Sequence, residues 1–131
     1  MKLPIQLAKD SRQPIYDQIE QQLKALIAGG HIASGTALPS IRVLSKDLEV
    51  SVITTRRAYQ NLELAGFIET IQGKGTFVKA IDDKTQKETR DQAMENILKE
   101  AIRQALQYDS DLDHIKTKLL TILSELEGEL K

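Results

Sequence analysis

The chain has 131 residues, 40% of them hydrophobic and 28% charged, with a net charge of −1, no tryptophan and no cysteine. That length suits one compact domain with a smaller appendage, and the missing cysteines exclude a disulfide framework, a thiol nucleophile and a thiolate metal site. No apolar run approaches the ~20 residues that span a bilayer, and the N-terminus lacks a signal-peptide layout, so a cytoplasmic protein without membrane association is expected.

Residues 1–13 read as an irregular N-terminal arm. Pro14 suits the first position of a helix, where its missing N–H costs nothing. Ile15, Ile19, Leu23 and Leu26 then form an amphipathic stripe, and Gly29-Gly30 ends the helix. After a loop, Ala37-Leu38-Pro39 is expected to be extended, because the residue before a proline avoids helical backbone. Ser40 is placed to cap a second helix running to about Leu48, with Ile41, Leu44 and Leu48 buried. Glu49-Val50 makes a turn, and Ser51 caps a third helix that reaches about Ala65 with Thr55, Ala58 and Leu62 inward.

Phe67 to Ile71 alternates like a strand, as does Thr76 to Val78. The connection Gln72-Gly73-Lys74-Gly75 has the glycines of a tight hairpin. Residues 80–89 are polar without an apolar period and read as a linker. A fourth helix is expected over Arg90–Tyr108, carrying Met94, Ile97, Leu98, Ala101, Ala105 and Leu106. Asp109-Ser110-Asp111 breaks it, and Ser110 with Asp113 resembles a capping box. The last helix shows Leu112, Ile115, Leu119, Ile122 and Leu126, a short seam of coiled-coil spacing.

Two helices joined by a tight turn, followed by a glycine-tipped hairpin, predict a mainly α fold. It is a winged helix-turn-helix over 14–79, with three helices and a β-hairpin wing, followed by a two-helix segment over 90–131. The second helix of such a motif presents its N-terminal residues to base edges. With Thr55, Ala58 and Leu62 inward, Ser51, Val52, Thr54, Arg56 and Arg57 lie further out. Arg56 and Arg57 suit phosphate or guanine, although adjacent arginines alone more often mark a solvated helix face. Val52 and Ile53 are apolar where polar readers are expected: one can pack on a thymine methyl, or Ile53 can staple the helix to the core. Charge agrees with a phosphate partner. Residues 1–79 carry 10 Lys+Arg against 7 Asp+Glu, whereas residues 80–131 carry 8 against 12.

In this order the motifs resemble the GntR family of bacterial transcription regulators over Pro14–Lys79. The resemblance rests on Pro14-Ile15-Tyr16, Gly35, Leu38-Pro39-Ser40-Ile41-Arg42 and Val50-Ser51. It continues through Thr54-Thr55-Arg56-Arg57-Ala58-Tyr59, Leu62-Glu63, Gly66-Phe67-Ile68 and Gly73-Lys74-Gly75-Thr76-Phe77-Val78. It implies that Arg42 contacts the DNA backbone, that the start of the third helix reads the major groove, and that the Lys74-Gly75-Thr76 tip approaches the minor groove. The candidate DNA contacts are therefore Ser40, Arg42, Ser51, Val52, Thr54, Arg56, Arg57, Lys74, Gly75 and Thr76. Val52 departs from the family, where an arginine is frequent at this place, so base reading there does not carry over.

With only two helices after the wing, the chain resembles the short YtrA-type branch, whose C-terminal helices mainly dimerise and whose genes often accompany ABC transporters. The expected dimer interface is Ile97, Leu112, Ile115, Leu119, Ile122 and Leu126, the alternative being packing between the two helices of one subunit. Such an appendage does not enclose a small-ligand pocket, so an effector, if any, would sit between subunits or domains. His31 and His114 have no ligand-spaced companions and read as surface residues. No catalytic motif, metal site or cofactor is expected, and Gly73-Lys74-Gly75 lacks the spacing of a phosphate loop. The reading is a homodimeric transcription regulator of repressor type on a near-palindromic duplex, against a protein-interaction adaptor that reuses the scaffold.

Overall fold

In the computed structural model, which describes residues 2–130, five helices and one two-stranded antiparallel sheet follow one another. They are α1 (Ile15–Ala28), α2 (Ile41–Leu48), α3 (Val52–Leu64), β1 (Ile68–Ile71), β2 (Gly75–Val78), α4 (Asp83–Ala105) and α5 (Leu112–Leu130). The chain forms two compact units, residues 1–93 and 94–131.

The first unit is a winged helix-turn-helix. Helix α3 is its centre and packs against α1, α2 and β1. Its inward side chains Thr55, Ala58 and Leu62 are fully buried, together with Ile19 and Leu23 of α1, Leu44 of α2 and Ile68 of β1. Tyr59 joins them, a core residue that the apolar spacing did not single out. Burial of polar groups is compensated throughout. Ser45 Oγ lies 2.8 Å from Thr55 Oγ1 and 2.7 Å from the Ile41 carbonyl. Among the described residues no buried side-chain polar atom lacks a partner.

Both serine caps form as expected. Ser40 Oγ accepts from Val43 N at 3.1 Å, and Ser51 Oγ accepts from Thr54 N at 3.2 Å. Between them Glu49 takes the left-handed conformation (φ 57°, ψ 46°), which turns the chain sharply from α2 into α3. The amide of Val50 returns to the Ser45 carbonyl at 3.0 Å, closing the helix end. Replacing Ser51 by alanine removes one capping bond from the first turn of α3. The expected loss is ~1 kcal/mol. It should appear as a lower urea midpoint with an unchanged slope.

Several expectations need correction. Pro14 is the residue before α1 rather than its first, and its carbonyl already accepts from Asp17 N and Gln18 N. The arm over 1–13 is irregular but not detached. Leu3 and Ile5 are buried in the core, and Gln18 fastens the arm by accepting from Ala8 N and donating to the Ala8 and Gln13 carbonyls.

The expected linker over 80–89 is helix from Asp83 onward, and α4 ends at Ala105 rather than Tyr108. Asp82 Oδ1 accepts from Thr85 N at 2.7 Å, which starts the helix, and this bond holds the Asp82 carboxyl below its usual range. Gln86 Nε2 and Arg90 Nε both donate to the Ala28 carbonyl at the end of α1, at 3.1 and 2.7 Å. A cation is favoured at that negative helix end.

In the second unit the cap before α5 is Asp111 rather than Ser110. Its carboxylate accepts from Asp113 N and His114 N. An aspartate reaches these amides as a serine would and adds a charge suited to a helix N-terminus. His114 is exposed, and its Nδ1 pairs locally with Asp109. Neither α4 nor α5 contains a buried residue. Leu112, Leu119, Ile122 and Leu126 of the expected seam are between 36% and 63% exposed, Ile97 is exposed as well, and only Ile115 is half-buried. Packing within the subunit therefore leaves the seam open. Among the described residues no helix is long and apolar enough to cross a membrane.

Candidate nucleic-acid interface

The candidate residues come from three elements, and the peptide around Leu38–Pro39 joins them. Leu38 N donates to the Thr76 carbonyl at 2.8 Å, and Val78 N donates to the Thr36 carbonyl at 3.0 Å. Ala37 thus forms an isolated antiparallel bridge with Phe77, which holds the stretch before α2 against β2. From α3, Tyr59 Oη donates to the Pro39 carbonyl at 2.6 Å. Burial disfavours the tyrosinate and pushes the Tyr59 pKa up, so the hydroxyl keeps its proton. The start of α2, the body of α3 and β2 are thereby fixed to one another.

The wing is a hairpin in which Ile68 pairs with Val78 and Ile71 with Gly75. Its turn is closed by Lys74 N donating to the Ile71 carbonyl at 2.9 Å. Gly73 (φ 80°) and Gly75 (φ 123°) flank Lys74 in backbone conformations that side chains avoid, so the lysine sits at the tip because its neighbours are glycines. Glu63 at the end of α3 accepts from Thr70 N at 2.8 Å and steadies β1. The Thr76 hydroxyl lies 3.2 Å from that of Thr70 across the strands.

Arg42, in the first turn of α2, Arg56 in α3 and Lys74 at the tip are all exposed. Among the described residues none of the three is in an ion pair, so their charge is available to a ligand. Ser40 and Ser51 are exposed, and each hydroxyl accepts a helix amide, which leaves its O–H proton to donate elsewhere. The Thr54 hydroxyl lies 2.7 Å from that of Ser51, so the two polar side chains of the first α3 turn face each other. Val52 is 37% exposed.

Arg57 stands apart from the rest. Its guanidinium lies 3.8 Å from the centroid of the Tyr16 ring on α1. That stacking ties α3 to α1 and removes Arg57 from the group of unpartnered cations. Ile53 differs the other way: at 76% exposure it does not staple α3 to the core. At ~100° per residue it lies opposite Thr55, Ala58 and Leu62, on the outward face with Gln60, which the sequence reading did not mark. No group of histidine, cysteine or carboxylate side chains among the described residues is arranged to hold a metal ion.

A helix-turn-helix with an exposed, capped second helix, unpaired cations and a lysine-tipped hairpin beside it defines a winged-helix DNA-binding protein. Residues 15–78 match the family described as bacterial regulatory proteins, gntR family. The chain is 32% identical over 127 residues to the HTH-type transcriptional repressor YtrA of Bacillus subtilis, covering 97% of this chain and 98% of that protein. The solved structure of YtrA from Sulfolobus acidocaldarius is 35% identical, covers 79% of this chain and 97% of its own, and superposes with a TM-score of 0.56. A transcriptional regulator from Oenococcus oeni superposes with a TM-score of 0.60 at 25% identity, covering 89% of this chain and 97% of its own. The chain belongs to the GntR family of transcription regulators and to its short YtrA-like branch.

Proposed function

We propose that the protein is a cytoplasmic, homodimeric repressor that binds a near-palindromic operator through α3 and the wing. The observation that carries this reading is the set of unpaired cations Arg42, Arg56 and Lys74, held on one frame by the Leu38–Thr76 and Tyr59–Pro39 bonds. Two copies joined through α5 would place two α3 helices in successive major grooves about one helical turn apart (~34 Å). The uncovered seam of Leu112, Leu119, Ile122 and Leu126 supports the second copy, since two helices without a single fully buried residue need a partner surface. The repressor sign is supported by the name of the Bacillus subtilis relative, and control of ABC-transporter genes by the likeness to that branch. A small-molecule effector is not part of the reading.

Arg42 and Arg56 separate the two roles. Arg42→Ala is expected to weaken binding to operator and random duplex alike and to flatten the salt dependence by about one phosphate contact. Arg56→Ala should cost ~1–3 kcal/mol on operator and much less on random duplex if it meets a base edge. Fluorescence anisotropy at several salt concentrations measures both. Equal loss on both duplexes for Arg56→Ala would assign it to phosphate. Failure of the wild-type protein to bind any duplex at low salt, with capture of a protein partner instead, would replace this reading by the adaptor.

A further inference from the structure

The first turn of α3 presents carbon where a DNA reader is expected to present polar groups. Ser51 and Thr54 bond each other, and the Ser51 hydroxyl also takes the Thr54 amide. What this turn offers outward is Ile53, at 76% exposure, with Val52 at 37% beside it. Isolated exposed aliphatic residues are ordinary on protein surfaces. Ile53 differs in its place: it lies at the N-terminal end of the helix that faces the groove, opposite the buried stripe. Arg56 follows three residues later on the adjoining flank.

In the major groove of B-DNA, base edges carry donors, acceptors and a single apolar group, the C5-methyl of thymine. An isoleucine pressed against a polar edge would desolvate donors and acceptors without replacing their bonds, which is costly. Against a methyl group it removes two apolar surfaces from water at once. An isoleucine placed there would therefore discriminate for thymine and against bases whose edges are polar at that point.

We infer that Ile53 is a specificity-determining residue that reads the methyl group of one thymine in each operator half-site. This rests on the proposed operator-binding role. It also accounts for an aliphatic residue in the first turn of α3, Ile53, that the winged-helix core does not use.

The test replaces thymines of the selected operator one at a time by deoxyuridine, which keeps the Watson–Crick and groove edges and removes only the methyl. One position per half-site is expected to weaken wild-type binding about fourfold, the value of one buried methyl group. Ile53→Ala should bind thymine and deoxyuridine operators equally at that position, while Ile53→Val should keep part of the difference. Because Ile53 is exposed, both variants should unfold at the wild-type urea midpoint, which checks that the fold is intact. If deoxyuridine is tolerated at every position, or if Ile53→Ala retains the full preference, the inference is overturned. A random-duplex selection that enriches no motif would instead overturn the operator-binding reading itself, so the two failures are distinguishable.

Discussion

Changing Ile122 and Leu126 together to glutamate is expected to yield a monomer and to lower operator affinity by roughly a hundredfold or more. The two side chains lie one turn apart on α5 and are 46% and 44% exposed in the single chain, so the substitutions cost the subunit little. In a dimer the same positions would bring four carboxylates into an apolar seam, where unpaired charge is not tolerated. Ile115 is a poorer choice because it is already half-buried in the subunit, and its replacement would mix folding with association. The size of the loss follows from bivalency: with one half-site engaged, the second binds as if present at high local concentration, an advantage of ~10²–10⁴. Ultracentrifugation reads the mass and anisotropy reads the affinity. A double variant that sediments as a dimer would move the interface off the α5 seam.

The second large effect is on stability. Leu62→Ala should cost ~2–5 kcal/mol, because the side chain is wholly buried where α3 meets the rest of the core and the cavity would not be refilled. Against a typical total of ~5–15 kcal/mol, this is enough to leave a sizeable unfolded fraction at elevated temperature. Its backbone also matters, since the Leu62 carbonyl accepts from Phe67 N at 3.0 Å as the chain turns toward β1. Leu64→Ala is the matched control. That side chain is almost fully exposed two residues later, and its loss should change stability by no more than ~0.5 kcal/mol. Urea unfolding of the pair separates burial from helix propensity. Equal midpoints for the two variants would mean that Leu62 is not a core residue.

The winged helix was legible in the chain because its signals are chemical as well as periodic. Ser40 and Ser51 stand where a helix must begin, Gly73 and Gly75 where the backbone must turn left-handed, and the structure uses each for that purpose. Apolar spacing located the inward stripe of α3, and by the same period it sends Ile53 outward. The start of α4 was not legible, for a reason that is general. Periodicity detects a buried face, and α4 buries none, so its first turns look like a linker although Lys, Gln, Glu and Arg are good helix formers. Their anchor is a carbonyl over fifty residues away, at Ala28, which no local pattern reveals. The N-terminal arm hid its two core residues similarly, because Leu3 and Ile5 pack from irregular backbone.

At the interface, residue identity was legible and residue orientation only partly so. Adjacent arginines look equivalent in sequence, but one helical step of ~100° separates them. Arg57 meets the Tyr16 ring, whereas Arg56 is left without an ion partner. The Ser51–Thr54 pair likewise turns two expected polar readers toward each other and leaves Val52 and Ile53 as the exposed side chains of the turn. The scaffold belongs to its family, while the exposed aliphatic residues of the first α3 turn are read from this chain alone.

In the proposed function two copies of this chain read one near-palindromic duplex. Selection of bound duplexes from a random pool tests it most directly. Enrichment of two inverted half-sites is expected, their centres ~10–10.5 base pairs, or a multiple of that, apart. A pool that stays random after selection, or one that converges on a single half-site without its inverted partner, would contradict it.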